Sequence, residues 1–432
     1  MKLVGRQGLI AVAVLVGLAA PAAAADVTRE RLPNGVTIVV RENPLAPVVA
    51  VSLLVRMGTR WENADNNGIS SLVQTVMMEG TRKRGGAELA DLIAGMGGKI
   101  SAAGDVDYSV IRGSALARFW RDLLGLTAEL ALEPKLDAGD LDRSRDVVLS
   151  YIQRRRDSAS ARANDELYAA LYAGHPYGFP VLGTAESLAR VDHAALLAWY
   201  RRFYVGERLT LAVSGQVRAD EVLAEARRLF GGVASGGPVT DPTRVPSPAT
   251  MGKRVTVEQP AQQAQILMAA LAPALDHADH AAVKVLATVL GGGMAGRLFA
   301  ELRDKQALAY AATSYYDPVR EAGALVLYLG TAPENVARAE DGLRREVERI
   351  RTQPVSPDEL RRAKGYLLGT YAMDRRTNER QAWYLAFYDV EGVPPDYPER
   401  YRRAVEAVTG DDVLRVARTY LATPTTLVLR PK

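Results

Sequence analysis

Apolar and polar positions divide this chain into short strands and long helices that come in the same order twice. The apolar run Val48–Val55 (VVAVSLLV) reads as a strand and corresponds to Ala264–Leu271 (AQILMAAL), an offset of 216 residues. The strand Leu209–Val213, which follows Tyr204, corresponds to Thr425–Leu429, which follows Tyr420, again at an offset of 216. Between these blocks, Glu133-Pro134 introduces a helix containing Leu141–Tyr151. Gln353-Pro354 introduces one containing Leu360–Thr370, at an offset of 219 to 220. Three matched blocks at nearly one offset predict an internal duplication, with one α+β unit used twice.

Each unit begins with two strands and a helix. A strand pair follows: Lys99–Ala103 with Tyr108–Gly113 after the helix stop Gly97-Gly98, and Ala309–Tyr316 with Ala322–Gly330. Long helices come next, Ala115–Leu132 and Asp137–Arg156 in the first unit, and then a final strand. Strands near both ends with helices between them predict a mostly antiparallel sheet carrying helices on one face. The fold class is therefore α+β, in two homologous domains.

The boundary falls at residues 231–252, where fourteen of 22 residues are Gly, Pro, Ser or Thr. Ahead of the first unit, Lys2 and Arg6 precede the apolar stretch Leu9–Leu18, and small residues at Ala22–Ala25 precede Asp26. That is the pattern of a cleaved secretory signal. The expected organisation is a signal at 1–25, a first domain at 26–230, a linker at 231–252 and a second domain at 253–432. The expected location is exported and periplasmic, soluble once the signal is removed.

Composition changes the picture in two ways. With Lys2 and Arg6 gone, 52 basic side chains face 50 acidic ones, so the balance gives no reason to propose nucleic acid as a partner. The chain has no cysteine and only four histidines, which removes thiolate chemistry and cysteine-ligated zinc. The helix Gly68–Glu79 sharpens that scarcity. Ile69, Leu72, Val73, Val76 and Met77 mark its buried face, and Ser71, Gln74 and Thr75 share another at i, i+3 and i+4. Two histidines and a glutamate at such positions would hold a zinc and its water; these three side chains do not.

Gly68 through Glu79-Gly80-Thr81 resembles the inverted-zincin helix of the pitrilysin, insulinase and mitochondrial processing peptidase family, where His-x-x-Glu-His precedes a Gly-Thr. Asn34-Gly35-Val36, Asp107-Tyr108 and His175-Pro176-Tyr177-Gly178 with Gly183-Thr184 extend the resemblance along the chain. Laid on the family motif, Ser71 replaces the first histidine, Gln74 the glutamate and Thr75 the second histidine. The third ligand, a glutamate on a later helix, falls at or next to Tyr151. The resemblance implies that this chain holds no metal or cofactor of its own.

Gly291-Gly292-Gly293-Met294-Ala295-Gly296 leads through Arg303 to Tyr310. Read literally, Gly291-x-Gly293-x-x-Gly296 is a dinucleotide fingerprint, but that fingerprint needs a strand before it and Ala281–Leu290 reads as helix. In the resembled family an arginine and a tyrosine seven residues apart bind the substrate carbonyl, and a glycine-rich loop of the non-catalytic subunit handles substrate. Arg303, Tyr310 and the loop Gly291, Gly292, Gly293 and Gly296 match those features. The plainer reading puts Arg303 in a surface ion pair with Glu301 or Asp304 and packs Tyr310 in a sheet. Asp276-His277-Ala278-Asp279-His280 looks metal-like but reads as a helix start with Asp279 as its N-cap.

Taken together, the resemblance implies a non-catalytic subunit of a heterodimeric zinc metallopeptidase. Its partner would be a His-x-x-Glu-His chain of the same family that carries the zinc. The two half-shells would close on short unfolded peptides, with Arg303 and Tyr310 supplied in trans. An inert scaffold subunit and an exported peptide-binding protein are the alternatives.

Overall fold

The computed structural model describes residues 27–237 and 252–432. The proposed signal and most of the proposed linker lie outside the described residues. Among the described residues, eleven strands form two sheets. In the first half they are β1 (Val27–Arg31), β2 (Thr37–Glu42), β3 (Val48–Val55), β4 (Lys99–Gly104), β5 (Ser109–Leu116) and β6 (Leu209–Gly215). In the second they are β7 (Arg254–Gln259), β8 (Ala264–Ala272), β9 (Ala311–Asp317), β10 (Gly323–Thr331) and β11 (Thr425–Pro431).

The sheet orders are β1-β2-β6-β3-β5-β4 and β7-β11-β8-β10-β9. Without the extra edge strand β1, the two match strand for strand. Each has a single parallel pair, β2 with β6 and β7 with β11, in an otherwise antiparallel sheet. The centres also match: β3 lies between β5 and β6, and β8 between β10 and β11. Duplication is thus visible in hydrogen-bond direction as well as in sequence offset.

Each half's own helices cover one face of its sheet. Leu72, Val76, Leu123, Leu130 and Phe203 pack on Val49, Val51 and Leu53 of the first sheet. Leu286, Leu290, Leu343 and Val413 do the same for Ile266, Met268 and Leu327 of the second. The opposite faces are not left to solvent. The helix Ala159–Leu171 of the first half lies on the second sheet, placing Ala163 and Leu167 against Leu267, Ala269 and Leu427. The helix Asn378–Glu391 of the second half lies on the first sheet, placing Ala382, Ala386 and Val390 against Ala50, Leu54 and Ala212. The halves therefore exchange one helix each. This explains why β6 and β8 are buried along their whole length, since both of their faces are covered.

Small departures from the sequence expectation are local. The helix expected over Ala115–Leu132 starts at Trp120, because β5 continues to Leu116 and a short 3₁₀ turn follows. Asp279 precedes the helix His280–Gly291 but its carboxylate does not cap it; Arg415 and the Tyr420 hydroxyl hold it instead, at 2.7 and 3.0 Å. No helix of the described residues is long and apolar enough to cross a membrane.

Candidate functional site

The helix Ile69–Met77 carries the degenerate motif, and its start is built by residues outside it. Gly68 has φ +90° and gives no side-chain cap. The buried carboxylate of Glu62 takes that role, accepting from Gly68 N at 2.7 Å, Ser70 N at 2.9 Å and Asn67 Nδ2 at 3.0 Å. A carboxylate on the orphan amides of a helix N-terminus satisfies them and complements the helix dipole. Sequence reasoning missed Glu62, which lies six residues upstream and has no capping-box spacing. Gly68 faces Gly183 (φ +81°), and a Cβ at either position would lie 2.4–2.9 Å from the other segment's backbone. That contact brings the Pro176–Leu182 loop over the helix.

The motif positions are occupied by internal hydrogen bonds. Ser71 Oγ donates to the Val181 carbonyl at 2.7 Å, in the loop just described. Gln74 Nε2 donates to the Tyr204 hydroxyl at 2.7 Å, and Thr75 Oγ1 donates to the Ser71 carbonyl at 3.0 Å. Tyr151 is half exposed, with the Arg154 guanidinium 4.5 Å from its ring centroid. None of the four offers an imidazole or a carboxylate, and three are tied to protein partners. These residues do not fit a zinc ion. Among the described residues, no group of three or more His, Asp or Glu side chains is placed to hold a metal.

The glycine run ends the helix His280–Gly291. With a helix before it, the dinucleotide reading has no support. Each glycine has a steric reason. A Cβ on Gly291 would lie 1.8 Å from Ser314 N on β9, one on Gly292 would meet Thr288 at 2.5 Å, and Gly293 has φ +68° beside the Tyr366 ring. A Cβ on Gly296 would lie 2.9–3.0 Å from the backbone of Gly291 and Gly292. Beyond the run, Arg297 anchors the loop through a two-bond ion pair with Glu359 at 2.6 and 2.9 Å.

Arg303 sits on a π-helical segment, Phe299–Lys305, with its guanidinium 4.5 Å from the Phe299 ring centroid. Ala307 then adopts φ +52°, and the chain turns so that Tyr310 N bonds Gly330 O at 2.9 Å. Tyr310 precedes β9 instead of lying in it, and its side chain is 62% exposed. Arg303 makes no ion pair among the described residues; Glu301 is taken by Lys305 at 2.9 Å. Both side chains line one cavity of about 630 Å³ with Gly291, Gly292 and Gly293, and Gly296 does not line it. Two donors, exposed and uncommitted, thus face a space shaped by the glycine loop.

The same cavity is lined by Lys284 and Asp317, which sequence reasoning passed over. Burial lowers the Lys284 ammonium to about 8, partly offset by Asp317, and its Nζ donates to the Tyr316 carbonyl at 2.7 Å. Burial lifts the Asp317 carboxyl above the usual range, against the opposing pull of Lys284 and a 3.1 Å hydrogen bond from Tyr168.

Comparison with known proteins bears on the whole chain. The model described as insulinase (peptidase family M16) matches residues 37–185, and that described as the peptidase M16 inactive domain matches residues 190–367. An uncharacterized zinc protease of Mycobacterium leprae is 30% identical over 355 residues, covering 81% of this chain and 79% of the relative. One from Bacillus subtilis is 25% identical over 350 residues, covering 81% and 85%. A peptidase M16 inactive-domain structure from Pseudomonas fluorescens, 22% identical, superposes with a TM-score of 0.85 over 94% of this chain and 98% of that one. A protease structure from Helicobacter pylori, 20% identical, gives 0.88 over 94% and 100%. With both halves matched in order and the fold shared throughout, the chain belongs to the insulinase, or M16, family of peptidases.

Proposed function

We propose that this chain is the non-catalytic subunit of a heterodimeric zinc metallopeptidase, exported to the periplasm by its amino-terminal signal. One observation carries the reading. The metal positions are committed to internal hydrogen bonds, while Arg303 and Tyr310 remain exposed and uncommitted in one cavity beside the glycine loop. A guanidinium and a phenol held there can donate to a peptide carbonyl and stabilise the negative charge that develops on it. Zinc and the general base belong, in this reading, to a partner of the same family with an intact His-x-x-Glu-His helix. Short unfolded peptides are the substrates, held between the two half-shells.

The test is co-expression with such a partner. Each chain alone is expected to be nearly inactive, and the mixed complex is expected to cleave unfolded peptides with zinc on the partner only. One tightly bound zinc per copy of this chain, or full activity of the partner alone, overturns the reading.

A further inference from the structure

Arg303 and Tyr310 reach their common cavity by way of a helix wound one residue too wide. The segment Phe299–Lys305 is π-helical, and the left-handed Ala307 closes it. Ala307 N donates to the Arg303 carbonyl at 3.1 Å, and Leu308 N donates to the Leu302 carbonyl at 2.8 Å. Each bond spans one residue more than in the usual left-handed close of an α-helix, as the wider winding requires. Ala307 holds φ +52°, a conformation that glycine adopts freely and alanine does not. Its methyl is exposed, so no packing of its own offsets the strain.

Neighbouring elements hold the segment in this shape. Leu302 is fully buried against the helix Val336–Thr352, where a Cβ on Gly342 would lie 2.7 Å from Leu302 Cδ2. The glycine leaves that seat open. Glu301 pairs with Lys305 at 2.9 Å and reaches Arg349 of the same supporting helix at 3.5 Å. Past the turn, Thr331 Oγ1 donates to the Leu308 carbonyl at 2.5 Å, and Tyr310 N donates to the Gly330 carbonyl at 2.9 Å. Tyr310 is thereby fixed to β10, whereas the direction of Arg303 depends on the winding before Ala307.

We infer that Leu302, Gly342 and Ala307 are positioning residues that keep the helix wide and so aim Arg303 into the cavity beside Tyr310. An α-helix turns about 100° per residue, so a segment that lost its extra residue would carry Arg303 round by about that angle. β10 would still hold Tyr310, and the two donors would part. Strained backbone of this kind persists only where its surroundings dictate it, and π-helical turns recur where a side chain must be placed. The inference rests on the carbonyl-binding role proposed for the two donors, and its test separates the two.

The complex with the zinc-carrying partner is assayed for kcat and KM on a fluorogenic unstructured peptide, and each variant chain is melted alone. Gly342→Ala displaces Leu302 and is expected to lower kcat about tenfold with little change in KM, because the donors act on charge that develops in the transition state. In an Arg303→Ala background the same substitution is expected to change kcat less than about twofold, since the group it misplaces is gone. Ala307→Val, whose branched side chain disfavours the left-handed region, is expected to lower kcat about tenfold. Ala307→Gly adopts that region freely and is expected to keep about five times the kcat of the valine variant and to melt higher. Ala307 is exposed, so this pair decides the matter should Gly342→Ala not fold. Unaltered kcat in Gly342→Ala, a loss just as large without Arg303, or equal loss in the two Ala307 variants overturns the positioning role and leaves the carbonyl-binding reading standing. Full turnover in Arg303→Ala, or no cleavage by the unaltered complex, overturns both.

Discussion

The side-chain amide of Gln74 donates to the Tyr204 hydroxyl at 2.7 Å. Tyr204 in turn points its proton at Met77 Sδ, 3.7 Å away. The pair is buried, so the degenerate motif serves as a structural clasp between the motif helix and the end of the helix His193–Phe203. Gln74→Leu and Tyr204→Phe are each expected to cost about 1–3 kcal/mol, because each leaves a buried polar partner unpaired. The double variant is expected to cost clearly less than the sum, since both partners are then apolar. Urea unfolding of the four proteins checks this; strict additivity would rule the clasp out.

The glycine loop is held against β9 by contact that only glycine permits. Gly291→Ala places a Cβ 1.8 Å from Ser314 N, which forces loop and strand apart. A loss of about 1–3 kcal/mol is expected, with lower peptide turnover in the complex. Gly369, inside the helix Pro357–Asp374 and with nothing within 4 Å of its Cβ position, is the control. Gly369→Ala is expected to be neutral or to stabilise by about 0.5–1 kcal/mol. Thermal melts of both variants decide the matter.

Arg303 and Tyr310 are exposed, so their removal has little to cost the fold. Tyr310→Phe or Arg303→Ala is expected to lower turnover of the mixed complex about 10²-fold while leaving the melting temperature and assembly unchanged. Unchanged turnover in both variants would remove the carbonyl-binding role.

Glu391 makes stability depend on pH. Burial is the main cause of its raised value of about 8, against an ordinary 4.5; Asp107 adds to the effect, and Arg320, Arg60 and Arg56 oppose it. Between those two values the folded chain holds a proton that the unfolded chain releases. The benefit of the neutral carboxyl is therefore full below about pH 4.5 and is lost as pH rises toward 8. Glu391→Gln cannot ionise. Its melting temperature is expected to match the unaltered chain near pH 4.5 and to exceed it increasingly toward pH 9. A difference that does not vary with pH would contradict the assignment.

The exchanged helices tie the halves together. Leu167, fully buried, packs across the boundary on Leu267 and Leu427. Leu167→Ala is expected to cost about 2–5 kcal/mol by opening a cavity there. A cost below about 1 kcal/mol in denaturant unfolding would mean that this helix contributes little to joining the sheets.

Much of the architecture was legible in the residues. Val48–Val55 is a strand with the predicted ends, and the strands at offset 216 occupy equivalent places in their sheets. Apolar runs and Gly or Pro stops act locally, so they survive translation into structure. The sequence also singled out Arg303 and Tyr310, which the structure places on one cavity. The helix exchange was not foreseen. Helical period identifies a buried face but not the sheet that covers it; the mostly apolar runs of β6 and β8, broken only by Thr210, Ser214 and Gln265, were the available sign that both of their faces are covered.

What the sequence determined by itself is therefore what depends on near neighbours: the elements and the duplication. Tertiary structure decided what depends on distant segments meeting. Glu62 reaches a helix it does not belong to, Gln74 finds Tyr204 130 residues away, and Glu391, Asp105 and Asp317 converge on one cavity from both halves. Charge and hydrogen bonding act through space over a few ångströms, and sequence order carries no record of which distant groups will share that space.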